Sequence, residues 1–596
     1  MKTGAIILLL FGFAGQAKTA SAQAVEVEKP TQDMNVVVGP PPLERAKRLK
    51  RDNLIEKARS GDGRAQADLV LDYPDGPYDG FDYKSALKWF HAAADRGDMD
   101  AHYNLGNVYQ MGWGTEKDIQ KSIHHYEIAI AADHAEAMSE LAYVYYYARM
   151  VDEDREKAFD LFQRAADFGD MYAQQMMGTI YYSGEIVRQN YAEAFHWFNK
   201  SAEQGYADAM ASIGDMYLGG IGVTKSYKQA YFWFERAAQK GHYLGQYGVA
   251  IMHEAQYYRP VNLSIAFKNF KLSAEQGYAD AQNYLGYYYA AGRGTRKNIS
   301  LAIEWFERAI ARGSIHAKRN LGEIYYSGND VEVDYERAFP LFLEAAEKGD
   351  VRSQHYLSGM YHNGLGIEKD IDQAIFWLKK AAQSGDASAQ FDLATAYHNG
   401  DGLEVNYSAA FKIFHELANR GVSISQYPLA LMYLKGNGTE ANSTKAIMWL
   451  KRAADYGTVE ADYSLGMIYS EGEHVSQDYK RAYEYLLYAA EAGYGPAQRR
   501  LAVFHEEGLV GPVSIEKTIY WYEQAVKQQD ALAALILGNL YALGEKIEQD
   551  KKRALLFYTL ALEYGDDSVQ DVVNGLRNDM TDDELKDVER MLLEWR

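Results

Sequence analysis

A fixed interval of 36 residues runs through this chain and restricts what it can fold into. Stepping by that interval from Ala65 lands on Ala101, Ala137, Ala173, Ala209, Gly245, Ala281, Ala317, Ser353, Ala389, Ser425, Ala461, Ala497 and Ala533, all of them small. Four positions further on stands an apolar residue each time, from Leu69, Leu105, Leu141, Met177, Ile213, Val249 and Leu285 through to Leu537. No insertion breaks the register from Ala65 to about Gly565. Self-similarity at such a period marks a repeat array, in which each unit buries its apolar face only against its neighbours.

The columns of the repeat assign two helices. Next to the apolar column is one made almost entirely of Gly, Ala or Ser (Gly106, Gly178, Gly214, Gly286, Gly322, Gly466, Gly538), which lets another helix approach closely. Tyr follows at Tyr109, Tyr145, Tyr181, Tyr217, Tyr289, Tyr325, Tyr361, Tyr397, Tyr433 and Tyr469. This spacing puts small, apolar and aromatic side chains on one face of a first helix, helix A. Pairs such as Gly112 with Gly114, Gly220 with Gly222 and Gly364 with Gly366 end it in a turn that needs positive φ. Helix B opens after residues such as Asp334, Asp370 and Asp478, whose carboxylates can cap exposed amides. Its buried face carries Ala230, Ala302 and Ala374, then Trp233, Trp305 and Trp377, then paired alanines such as Ala381 and Ala382. Gly205, Gly241, Gly277, Gly313, Gly349 and Gly385 stop it at a left-handed cap.

The expected fold is therefore all-α: an α/α superhelical solenoid of about fourteen two-helix repeats with a long concave surface. The solenoid is expected over residues 62–568. A capping helix over residues 569–596 follows, opened by the capping box of Thr581 and Glu584 and carrying Leu585, Val588, Met591 and Leu592 on one side. At the other end, Met1 and Lys2 precede an apolar run from Ala5 to Ala14 and the small residues Ala20, Ser21 and Ala22. This reads as a secretory signal peptide over residues 1–24, cleaved after Ala22 or Ala24. Residues 25–61, with Pro40, Pro41 and Pro42, read as a linker and N-terminal cap. No later stretch is apolar for long enough to cross a bilayer. The expectation is an exported chain, periplasmic or secreted, with the endoplasmic reticulum lumen as the alternative.

A small-x3-Leu-Gly-x2-Tyr-x2-Gly helix, a Gly-rich turn, an Asp-Tyr-x2-Ala start and a Trp-x3-Ala-Ala-x2-Gly ending resemble the Sel-one-like repeat (SLR) family of the tetratricopeptide-like superfamily. Plain tetratricopeptide repeats run to 34 residues, whereas this chain keeps 36 and the Gly-rich turn. The resemblance implies an adaptor or scaffold, as in exported bacterial proteins and in the luminal subunit of a membrane ubiquitin-ligase complex. Proteins of the latter kind break their repeats into clusters and carry a C-terminal membrane span, and this chain shows neither. A cysteine-rich SLR branch credited with β-lactam binding depends on disulfides, and here there is no Cys.

Charge and motif content narrow the function further. With 62 Lys and Arg against 83 Asp and Glu, the net charge is −21. That balance disfavours nucleic acid and anionic membranes, which are bound by neutralising phosphates. No phosphate loop with its Lys, paired-His zinc motif or nucleophile elbow occurs. The nearest phosphate-loop lookalike, Gly219 to Ser226, coincides with an A-to-B turn. His362 and His398 stand one repeat apart with His355 nearby, but a metal site needs three or four convergent ligands, so no metal and no cofactor is assigned. Asn-x-Ser/Thr sequons occur at Asn199, Asn262, Asn298, Asn406, Asn437 and Asn442. Four of them, Asn262, Asn298, Asn406 and Asn442, fall in the column of helix-B caps, and capping chemistry alone produces that motif.

The expected activity is non-enzymatic: a scaffold binding a protein or peptide partner. A carbohydrate or envelope-polymer binder and a luminal adaptor in protein degradation are the alternatives. Candidate contact residues come from repeats that abandon the consensus. Repeat 3, counting from Ala65, replaces its turn glycines with Ala148, Arg149 and Met150 after Tyr143, Tyr145, Tyr146 and Tyr147. Repeat 6 loses them too, carries Tyr243 and Tyr247 on its helix A, and ends its turn with Tyr257, Tyr258, Arg259 and Pro260. Repeat 7 adds Tyr284, Tyr287 and Tyr288 beside the regular Tyr289. Tyr143, Tyr146, Tyr243, Tyr247, Tyr257, Tyr258, Tyr284, Tyr287 and Tyr288 are the candidate binding residues. Tyr offers large contact area at little entropy cost. On this reading Tyr284 and Tyr287 point away from the main packing line and Tyr288 lies between the two sets.

Overall fold

Helix boundaries fall where the capping chemistry puts them. The structure, a computed structural model, describes residues 55–57, 65, 83–147 and 154–595. The expected signal peptide, the linker apart from residues 55–57, Leu69 and the turn residues Ala148, Arg149 and Met150 lie outside the described residues. Among the described residues there are α-helices and two short 3-10 turns and no strand. Asp334, Asp370 and Asp478 each accept a hydrogen bond from the backbone N–H three residues on, as do Asn262, Asn298, Asn406 and Asn442. The backbone N–H of each of these caps donates to the carbonyl of the residue in the Tyr column, as Asp370 does to Tyr361 at 2.9 Å and Asn298 to Tyr289 at 2.8 Å, with His253 taking that place for Asn262 at 3.2 Å. One residue thus opens helix B and ties it to the last turn of helix A. The left-handed cap closing helix B is Gly in most repeats, and Asp133 (φ 62°) and Gln529 (φ 61°) hold the same conformation in the two repeats without it.

The two helices of a repeat interlock through a residue the sequence reading did not single out. The small column of helix A faces the position after the Trp column of helix B, occupied by Phe234, Phe306 and Phe342 among others, all fully buried. A Cβ placed on Gly214 would stand 2.6 Å from Phe234, and one on Gly286 or Gly322 would stand 2.8 Å from Phe306 or Phe342. The ring fills the space the side chain vacates. The Trp column lies at the edge of this core, with a basic side chain one turn on over each indole: Arg236 over Trp233, Arg308 over Trp305, Lys380 over Trp377 and Arg452 over Trp449, at 4.5–5.0 Å.

Neighbouring repeats are joined by a buried glutamine. The amides of Gln174, Gln282, Gln354 and Gln498 donate to the carbonyls of Ala166, Ala274, Ala346 and Ala490, in the last turn of the preceding helix B. Each of those carbonyls also accepts from the N–H of the left-handed glycine that ends the helix (Gly169, Gly277, Gly349, Gly493), so the glutamine supplies a further donor from the next repeat. The described residues form two compact units, one ending at Trp197 and the other beginning at Phe198, within the helix Tyr191–Glu203. In each unit successive helices pack on one another in chain order. The second unit ends in two helices, Gln570–Asn578 and Asp582–Trp595. The Thr581 N–H donates to the Glu584 carboxylate at 2.9 Å, and Val588 and Leu592 are buried against the last repeat.

Candidate functional site

Repeats 5 to 7 hold a belt of aromatic side chains built on helix A of repeat 6 (Tyr243–Glu254), helix A of repeat 7 (Ala279–Ala291) and the helix B between them (Leu263–Glu275). Its centre is Phe270, fully buried and absent from the sequence-derived candidates. Tyr284 stacks on it at 4.8 Å with planes 8° apart, and Tyr247 and Tyr288 meet it edge-on at 5.8 and 5.2 Å. Tyr278, also missed, bridges Tyr243 at 5.3 Å and Tyr247 at 5.1 Å, and its hydroxyl donates to Asp280. An aromatic on each side of the Gly277 cap was the available signal for both.

Burial divides the candidates. Tyr247 and Tyr288 are buried, and their rings pack the core instead of facing a ligand. Tyr288 stands in the column that holds Val108, Ile180, Met216, Met252 and Ile324, a fully packed line of helix A, so it does not lie between two faces. Tyr284 is half-buried and held by its stack, and burial pushes its hydroxyl up to about 12. Tyr243 is half-buried as well. Tyr287 is 40% exposed, with the Arg293 guanidinium 5.7 Å from its ring. Arg293 also pairs with Glu254 at 3.5 Å, whose carboxyl burial raises.

The turn of repeat 6 spends its tyrosines differently. Gln256 takes the left-handed conformation (φ 57°) that glycine takes elsewhere, and Tyr257 stacks on Tyr227 of the preceding helix B at 4.7 Å. Tyr258 remains 42% exposed, and Arg259 lies 5.2 Å from its ring and 5.0 Å from that of Tyr231. In the first unit, half-buried Tyr143 and Tyr146 lie 4.5 and 4.8 Å from Tyr147, and Tyr146 donates to Glu185 at 3.2 Å.

Asp215, on helix A of repeat 5, adds a carboxyl beside the belt. It makes no hydrogen bond or ion pair with another described residue, its surroundings push it up to about 7 by burial, and its charge reaches Tyr247 and Tyr278. The remaining motifs resolve into structure. Gly220 (φ 73°) and Gly222 (φ 70°) form an ordinary A-to-B turn and Ser226 caps the next helix. His398 bonds its neighbour Asn399, apart from His355 and His362. Among the described residues no group of three or more His, Cys, Asp or Glu is placed to hold a metal ion, and no helix is long and apolar enough to cross a membrane.

Helix pairs stacked in register, joined by capped turns and carrying aromatic side chains between repeats, define an α/α repeat scaffold, a class that generally serves protein interaction. The chain belongs to the Sel1 repeat family, whose model matches fourteen times, from residues 76–98 and 100–134 through to 531–566. Among solved structures it is similar to a protective antigen present in uropathogenic Escherichia coli strains that displays an SLR fold. The two are 28% identical over 73% of this chain and 94% of that one, with a TM-score of 0.59. It is also similar to a Sel1 repeat protein from Oxalobacter formigenes, 30% identical over 42% of this chain and 99% of that one, with a TM-score of 0.38. A comparison with the curated proteins finds no match.

Proposed function

We propose that this chain is an exported, non-enzymatic scaffold that binds a protein or peptide partner on the aromatic belt of repeats 6 and 7. Tyr243, Tyr284 and Tyr287 supply the contacts, and Tyr247, Tyr278 and Tyr288 hold them from behind. The observation that carries this reading is the placement of exposed Tyr287 beside Arg293, on a helix whose adjacent tyrosines are fixed by stacking on Phe270. A pre-ordered aromatic and an arginine lose little entropy on binding, and both residue types dominate interface energies. Export to a periplasm or beyond is supported by the leader-like Ala5 to Ala14 run, and likeness to a protective antigen fits that destination.

The test is a pull-down from periplasmic or culture extract with the mature chain as bait, beside binding to purified envelope polysaccharides. Tyr287→Ala is expected to weaken capture of the protein partner by about 2 kcal/mol, roughly thirtyfold in Kd, with an unchanged melting temperature. Polysaccharide binding lost in the same variant, with no protein captured, transfers the site to the carbohydrate reading.

A further inference from the structure

Repeat 2 departs from the consensus at two positions that face each other. His102, on its helix A (Met99–Met111), stands in the column of the bridging glutamines Gln174, Gln282, Gln354 and Gln498. His125, on its helix B (Ile119–Ile130), stands in the column of Trp197, Trp233, Trp305, Trp377, Trp449 and Trp521. The ring of His102 keeps the glutamine's bond, because it donates to the Ala94 carbonyl, the counterpart in the preceding helix B of Ala166 and Ala274. Its Nδ1 then lies 3.0 Å from Nδ1 of His125. Glutamine and tryptophan do not titrate, whereas imidazole gains a charge in mild acid, so both sides of this contact have become chargeable.

Further titratable groups enclose the pair. From helix B of repeat 1 (Tyr83–Ala94), the His91 ring lies 6.1 Å from that of His125, and its Nε2 is 3.0 Å from the Tyr109 hydroxyl. The Tyr109 ring is parallel to that of His125 at 5.7 Å, and His124 lies 5.6 Å from it. Asp95 and Asp98 favour the charged form of His102, while His91, His102, His124 and Lys121 disfavour that of His125. Helix A of repeat 3 (Ala135–Tyr146) directs its carboxylates elsewhere: Glu136 stands 3.4 Å from His134, which Asp100 meets at 3.3 Å, and the charge of Glu140 reaches Tyr126.

The proton count fixes what the contact tolerates. Two nitrogens 3.0 Å apart hold one hydrogen between them, donated by one ring and accepted by the other. The neutral pair satisfies this, and so does the pair with one charge, whose added proton sits on an outward nitrogen. With two charges both facing nitrogens carry N–H, and no acceptor remains between them. Burial first, and then the neighbouring imidazoles, hold His125 down to about 4.

We propose that the His102–His125 contact is an acid-sensitive joint, in which uptake of a second proton drives helix A of repeat 2 from its helix B and loosens that repeat locally. The joint lies in the first unit and is independent of the aromatic belt. His125 has a folded value below its ordinary 6.5, so the neutral ring stabilises the closed repeat above that pH, and the stabilisation is lost as pH falls towards 4.

The experiment is hydrogen exchange of the full mature chain at pH 7 and pH 5, with each rate divided by the intrinsic rate at that pH. Protection of Met99–Met111 and Ile119–Ile130 is expected to fall by roughly tenfold to twentyfold, the linkage value reduced by solvent at half-buried rings. Helix Ile299–Ala311 is expected to change by less than about threefold. NMR of labelled histidine rings should place the His125 midpoint below about 5.5. The double variant His102→Gln with His125→Trp restores both consensus residues and should keep its protection at pH 5. His102→Gln alone retains the bond to Ala94 and should lose less protection than the wild type, which gives a reading if the double variant is unfolded at pH 7. Protection in the wild type that ignores pH, a His125 midpoint at or above about 5.5, or an acid loss in folded His102→Gln or the folded double variant as steep as in the wild type overturns the proposal. Tyr287→Ala is expected to leave the exchange of repeat 2 unchanged at both pH values, which keeps failure here distinct from failure of the belt.

Discussion

Gly286 tests whether the small column exists for the ring opposite it. A Cβ added there would lie 2.8 Å from two Phe306 ring carbons and 3.1 Å from the Ala302 carbonyl oxygen. Carbon atoms prefer about 3.5–4.0 Å, so even alanine makes the Phe306 ring retreat by somewhat under about 1 Å. Alanine recovers about 0.8–1 kcal/mol of helix propensity, and Ala250 stands in the same column in repeat 6, so Gly286→Ala is expected to change stability by less than about 1 kcal/mol. Gly286→Leu adds three further carbons where Phe306 is fully buried and cannot leave. Overpacking of that kind costs about 1–3 kcal/mol and more where backbone must move; the Ala302 carbonyl is such a backbone atom. Because repeat arrays unfold in parts, the measurement is hydrogen exchange of the helices Ala279–Ala291 and Ile299–Ala311, beside a far-ultraviolet dichroism melt. Local protection should drop for Leu and hold for Ala. Equal protection in the Leu variant and the wild type would refute the close packing of helix A on helix B.

Tyr284→Ala removes a ring stacked on Phe270 and is expected to cost about 1–3 kcal/mol of stability, unlike Tyr287→Ala; a melting temperature untouched by both would show that Tyr284 does not pack. Asp350 is held down to about 2 because its burial is outweighed by the His316 imidazole 3.7 Å away, by the Arg319 guanidinium 2.8 Å away and by hydrogen bonds from Ser353. Its folded value lies below the unfolded one, so it contributes about 2 kcal/mol that is present above pH 4 and lost as pH falls towards 2. Asp350→Asn, which retains a helix cap, should lower stability at pH 7 and flatten that part of the acid unfolding curve; an unaltered curve counts against the pairing. Intact mass of the exported protein should begin at Gln23 or Val25, and retention of Met1 would remove the leader.

How legible the molecule was in its sequence depended on how local each feature is. The capping carboxylates and amides, the left-handed glycines and the small column act within a few residues of themselves, and the 36-residue step displays them repeatedly. Those features determined the all-α repeat fold without reference to distant contacts. The fate of the extra tyrosines was less legible because each helix is packed on more than one side. Tyr288 was assignable from its column of Val, Ile and Met, and the count of tyrosines obscured it. Tyr247 and Tyr284 were not assignable from periodicity, since their burial comes from Tyr278 and Phe270, side chains contributed by other helices.

The sequence by itself determined where each helix starts and stops, which of its faces is apolar and that the repeats continue in register, since these follow from local backbone geometry and period. Only the tertiary structure decided which side chains of one repeat meet those of the next. Gly286 and Gly359 are both helical glycines in the sequence, yet one is filled by a phenylalanine ring and the other opens onto empty space. The two stand in adjoining columns of the repeat, so a side chain on one is directed at the facing helix B and a side chain on the other is not.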